Sequence, residues 1–66
     1  MADVRYPDVH VKLVGEDGNA FSIIGRVRRA LTKAGHKDAV GEFTEEATSG
    51  DYNHLLNTVM KYVNVS

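Results

Sequence analysis

Apolar and polar residues alternate from Val9 to Val14, with Val9, Val11 and Leu13 on one side and His10 and Lys12 on the other. A period of two marks a half-buried strand, so this run predicts a β-strand over 9–14. Pro7 suits only a strand's start or edge, and residues 1–7 carry little pattern. At Asn19 the period changes: Ala20, Ile23, Ile24, Val27, Ala30, Leu31 and Ala34 recur every three or four residues. That spacing predicts a helix over about 19–34, stopped by Gly35. A second, shorter helix is predicted from an N-cap at Asp38, with Val40, Phe43 and Ala47 toward the core and Gly50 at its end. A third, capped by Asp51 or by Ser49 before it, carries the clearest amphipathic stripe: Leu55, Leu56, Val59, Met60 and Val63. The final Tyr62-Val63-Asn64-Val65 is rich in strand formers, and its simplest use is to pair beside the first strand or with another copy. The pattern therefore predicts an α+β fold in one domain over 1–66: strand, helix, helix, helix and a candidate short C-terminal strand.

Composition narrows the function classes. With 42% hydrophobic and 26% charged residues in a chain of 66, there is room for one folded domain and no compositional sign of disorder. A chain this short buries only about 60% of the surface it exposes unfolded. Cysteine is absent, which removes disulfides and thiolate metal sites, so self-association is the remaining aid and a homo-oligomer is expected. Eight Lys+Arg against nine Asp+Glu leave a formal charge of −1, a field that does not favour DNA, RNA or anionic membrane. No apolar run approaches the ~20 residues of a membrane span. Met-Ala-Asp-Val-Arg lacks a signal-peptide core, so a cytoplasmic location is expected.

The charge distribution is more informative than its sum. Arg26, Arg28, Arg29 and Lys33 gather in the first helix, while Glu42, Glu45, Glu46 and Asp51 follow later. The joint into that helix, Gly15-Glu16-Asp17-Gly18-Asn19-Ala20-Phe21, offers Asp17-Gly18-Asn19 as a turn. It combines a glycine free to take positive φ with a side chain able to cap the first helical amides. Such amides, followed by arginines, make a place for a phosphate or carboxylate. The joint also has a purely structural reading: turn, cap and a buried Phe21. Gly25 breaks the helical rule, and Phe21, Gly25, Arg28 and Arg29 are related by steps of three and four. Bare backbone is thereby placed between an aromatic ring and two guanidinium groups, against which a ligand or a second helix can lie.

Ser49-Gly50-Asp51-Tyr52 is a second joint of the same kind, in which Gly50 ends one helix and Asp51 caps the next. Tyr52 offers a ring for a nucleobase, and His54 beside it a donor. His10, His36 and His54 fall in three separate settings without metal-ligand spacing, so no metal is expected. No Gly-Lys-Ser/Thr P-loop ending and no three-glycine dinucleotide fingerprint is present. Ile23-Ile24-Gly25-Arg26-Val27-Arg28 lacks the second glycine of the RNA-gripping KH loop. No nucleophile and base are arranged for covalent chemistry, and neither catalysis nor a cofactor is expected.

At Leu13-Val14-Gly15-Glu16-Asp17-Gly18-Asn19-Ala20-Phe21, continued by Gly25, Ala30-Leu31 and Ala34-Gly35, the chain resembles a family of short phage, prophage and plasmid proteins. The likeness returns at Glu46-Ala47-Thr48-Ser49-Gly50-Asp51-Tyr52 with Leu55-Leu56, and it covers about residues 9–65. By size and context, not by motif, it extends to viral sponges that sequester nucleotide immune signals such as the cyclic dinucleotides of CBASS or the ADP-ribose derivatives of Thoeris. The resemblance implies a non-enzymatic, homo-oligomeric nucleotide binder in the host bacterial cytosol. In that role Arg26, Arg28 and Arg29 pair with phosphates, the turn 17–19 offers backbone donors, and Phe21 or Tyr52 contacts a base. Two alternatives remain open. One is a module that binds a host or phage protein through the Gly25 patch or an exposed strand edge. The other is a small DNA-binding regulator using the basic helix, which the overall charge disfavours.

Overall fold

A computed structural model describes residues 4–16 and 18–66. The element order is β1 (Tyr6–Val11), α1 (Ala20–Lys33), α2 (Lys37–Ala47), α3 (Tyr52–Tyr62) and β2 (Val63–Val65). The α+β class and the order of elements are those the periodicity predicts. β2 lies parallel to β1, so the C-terminal segment closes on the start of the chain after all three helices have intervened.

The first strand departs from its predicted range. It starts at Tyr6 and ends at Val11, so Tyr6 and Pro7 belong to it despite their lack of pattern. Tyr6 pairs with Val63 and His10 with Asn64, an irregularity of register that contains Pro7. Proline has no amide hydrogen for a ladder, and its carbonyl instead accepts a hydrogen bond from the Asn64 side chain at 2.8 Å. Beyond the strand, the amides of Leu13 and Val14 both donate to the Ser66 carbonyl, which ties the turn to the end of the chain.

Asn19 caps α1 as predicted, its side chain accepting from the Phe21 amide at 2.8 Å. Ile23, Val27 and Leu31 form the buried line of the helix. At its end, Gly35 adopts φ +90° and donates to Thr32, while His36 donates to Leu31. This is a Schellman stop, and it turns Ala34, predicted inside, out to the surface. The other positive-φ glycine is Gly15, not the Gly18 of the predicted turn.

α2 begins at Lys37, earlier than an Asp38 cap implies, because His36 takes the N-cap position and its carbonyl accepts from the Ala39 amide. Its buried line is therefore Ala39, Phe43 and Ala47, with Val40 at the flank. The helix ends at Ala47, before Gly50. Asp51, rather than Ser49, caps α3 by accepting from the His54 amide at 2.9 Å. Leu55, Val59 and Tyr62 face inward, and Met60, predicted in the stripe, is 49% exposed. Thr58 is buried without cost because its hydroxyl donates to the His54 carbonyl. Phe43 is the largest fully buried side chain, with the Tyr62 ring edge-on at 5.3 Å.

Candidate anion-binding face

With Ile23, Val27 and Leu31 turned inward, helical geometry sends Gly25, Arg28, Arg29 and Lys33 outward. Between α1 and α2 they border an open depression of about 490 Å³, with Thr32 beside them and Val40 of α2 on the far wall. A Cβ built on Gly25 meets nothing within 4 Å, so packing does not demand the glycine. One turn before it, Phe21 is 85% exposed, which removes the reading of the joint as a device for burying that ring. Phe21, Gly25, Arg28 and Arg29 are thus brought onto one solvent-facing side of the helix, as their spacing predicts.

Arg26 leaves this group. It lies on the other side of the ridge, between α1 and β1, where Nη2 bonds Glu16 at 2.9 Å. Its Nη1 is buried with no hydrogen-bond partner among the described residues. Lys12, Arg29 and Lys33 border the same depression, of about 310 Å³. Arg29 and Lys33 therefore line both grooves.

The turn contributes less than the sequence suggests. Asp17 lies outside the described residues, and the Phe21 amide is already taken by the Asn19 side chain. Gly18 is exposed, and its carbonyl accepts the Tyr52 hydroxyl at 2.5 Å. That bond joins the two turn-into-helix joints, a contact between residues 34 apart that no local pattern announces.

Asp51, Tyr52 and His54 line neither groove. Asp51 acts as a cap, and His54 points back at the end of α2. There its Nε2 lies 2.9 Å from the Glu46 carbonyl, 3.1 Å from Ser49 Oγ and 3.4 Å from Glu46 Oε2. The trio resembles a hydrolase triad in composition only. All three contacts fall on one ring nitrogen, and a nitrogen that donates to a carbonyl cannot also accept the serine proton. The Ser49 hydroxyl itself donates to the Glu46 carbonyl at 2.7 Å. That serine holds the Glu46 carboxyl below the usual glutamate range, with His54 adding to the effect.

One cluster was missed from the sequence. Arg5, Glu42 and Tyr62 meet at an open depression of about 760 Å³. The guanidinium of Arg5 bonds Glu42 and sits 4.9 Å over the Tyr62 ring, while the Tyr62 hydroxyl donates to Glu42 at 3.0 Å. Burial, then Glu42, pushes the Tyr62 phenol up. These residues are 37 and 57 positions from Arg5, and the only available signal was a tyrosine at the end of an apolar stripe. Among the described residues, no three His, Asp or Glu side chains are placed to hold a metal ion. Nor, among the described residues, is any helix long and apolar enough to cross a membrane. Comparison of the chain with family models, curated proteins and solved structures finds no match.

Proposed function

We propose that the chain is a non-catalytic binder of a phosphate-containing nucleotide, and that the outer face of α1 is its binding surface. The observation that carries this reading is the shared face of Phe21, Gly25, Arg28 and Arg29. An exposed ring suits a base, open backbone permits close approach, and two guanidinium forks without ion-pair partners among the described residues suit phosphate oxygens. The resemblance to phage proteins adds the role: sequestering a cyclic oligonucleotide or ADP-ribose derivative in a host cytosol. A second copy then completes the cover over this shallow surface.

Isothermal titration of the folded protein against cyclic dinucleotides, cyclic trinucleotides and cyclic ADP-ribose tests the proposal, with a light-scattering mass to count subunits. At least one ligand should saturate. Phe21→Ala should weaken it roughly five- to hundredfold, since a stacked base contributes about 1–3 kcal/mol. Silence across the panel overturns the reading. A second reading draws on Val14 and Phe21, 72% and 85% exposed, as an apolar docking surface for a protein. It expects indifference to every nucleotide and loss of the protein partner in Phe21→Ala.

A further inference from the structure

Resting on the phosphate-binding reading of α1, we infer that the ligand is of dinucleotide type and holds two phosphates separately, one in each groove beside the Arg29–Lys33 ridge. The grooves are distinct. Arg28 borders only the α1–α2 side, whereas Lys12 and Arg26 border only the β1–α1 side. A single phosphate beside Arg28 leaves the second set of cations with Glu16 as the carboxylate that borders their groove among the described residues.

Arg26 Nη1 is buried and lacks an acceptor among the described residues, although Nη2 of the same fork is held by Glu16. The buried nitrogen is out of a ligand's reach, but 29% of the Arg26 side chain remains exposed in the groove that Lys12 also borders, so an oxyanion entering there meets two cations.

A long nucleic acid fits the same surface poorly. The β1–α1 groove is bordered at its Arg26 end by Glu16. Toward Lys33 it meets Asp8, which is paired with His36. A polyanion continuing along the groove meets a carboxylate in either direction, while a ligand with two phosphates stops short of both.

The test is calorimetric titration with AMP, the linear dinucleotide pApA and a 20-nucleotide single strand, at two salt concentrations. Wild type should bind pApA at least tenfold more tightly than AMP. Lys12→Gln, a change at an exposed side chain, and Lys12→Gln/Arg26→Gln should bring pApA toward the AMP value and leave AMP within twofold. Arg28→Gln should weaken both ligands together. Circular dichroism and urea midpoints confirm that each variant is folded. Equal affinities for AMP and pApA, or equal loss of both in Lys12→Gln, overturns the two-phosphate inference while the nucleotide reading stands. A single strand that outcompetes pApA, with a salt slope above that of two phosphates, overturns it in favour of a polymer. Absence of pApA binding overturns the two-phosphate inference, and the nucleotide reading falls with it only if the cyclic panel is silent as well.

Discussion

Replacing glycine by alanine should lower stability at one position of this chain and raise it at two others, and the reason is geometric. At Gly50, an added Cβ falls 2.8 Å from both Cβ and Cγ of His54 and 2.9 Å from Cδ2. The His54 Cβ is fixed to the α3 backbone, and the ring is held by Glu46 and Ser49, so the conflict cannot be relieved by swinging a flexible tip. Overpacking of this kind costs about 1–3 kcal/mol. The smaller conformational freedom of alanine in the unfolded chain returns about 0.4–1 kcal/mol. The net expectation is a loss centred on about 1 kcal/mol and reaching about 2.5 kcal/mol. At Gly25 and Gly41, both inside helices, the added Cβ meets nothing within 4 Å, and helix propensity alone favours alanine by about 1 kcal/mol.

For a domain of this size each kcal/mol moves the melting temperature by about 4–8 °C, so thermal unfolding followed by circular dichroism separates the variants easily. Gly50→Ala should melt below wild type, and Gly25→Ala and Gly41→Ala above it, with the same order in urea midpoints. The pair of helical glycines also isolates function from folding. Gly25 borders the groove, so Gly25→Ala should gain stability yet weaken nucleotide binding, whereas Gly41→Ala should only gain stability. A Gly50→Ala variant as stable as wild type would refute the packing argument at the α2–α3 joint. A destabilised Gly25→Ala would show that something packs on α1 there.

Tyr52→Phe removes the hydrogen bond to Gly18 and should cost about 0.5–1.5 kcal/mol in urea unfolding, with faster amide exchange around residue 18. Asn19→Ala and Asp51→Ala each delete a cap and should cost about 1 kcal/mol in urea unfolding. Acid should destabilise the fold through Asp8, whose carboxyl is held low by its hydrogen bond to His36, and through Glu46, held low by Ser49 and then His54. Because both groups lie lower folded than unfolded, their stabilisation is present above the ordinary carboxylate range and lost as pH falls through it; Asp8→Asn should flatten the urea midpoint between pH 5 and 3.

Local chemistry was legible where partners are near in sequence. The α1 cap at Asn19, the stop at Gly35 and the α3 cap at Asp51 all follow from residues within a few positions of each other. Displaced features depend on distant partners. Tyr6 and Pro7 become strand only because Val63 and Asn64 return beside them, and Met60 is left outside because α3 turns Thr58 and Tyr62 inward. The same distinction governs the site. Phe21, Gly25, Arg28 and Arg29 share a face by helical period alone, so their grouping was readable. The diversion of Arg26 to Glu16, the use of Tyr52 to bind Gly18 and the Arg5–Glu42–Tyr62 cluster are tertiary, and no period encodes them.

The division of the arginines bears on what the basic face is for. Arg5 and Arg26 have carboxylate partners, and Arg5 also covers the Tyr62 ring, so both contribute to holding elements together. Arg28 and Arg29 are exposed, with no salt bridge among the described residues, on the side of α1 opposite its buried line. Exposed cations of this kind add little to folding, and placing two adjacent to Lys33 creates mutual repulsion that an ordinary solvent-facing helix relieves by interleaving acids. α1 contains no acid from Ala20 to Lys33, although the chain has nine. A fold indifferent to these side chains should tolerate Arg28→Gln/Arg29→Gln with an unchanged or slightly higher urea midpoint. Loss of nucleotide binding in that same variant would then place the function of the face in recognition and not in stability.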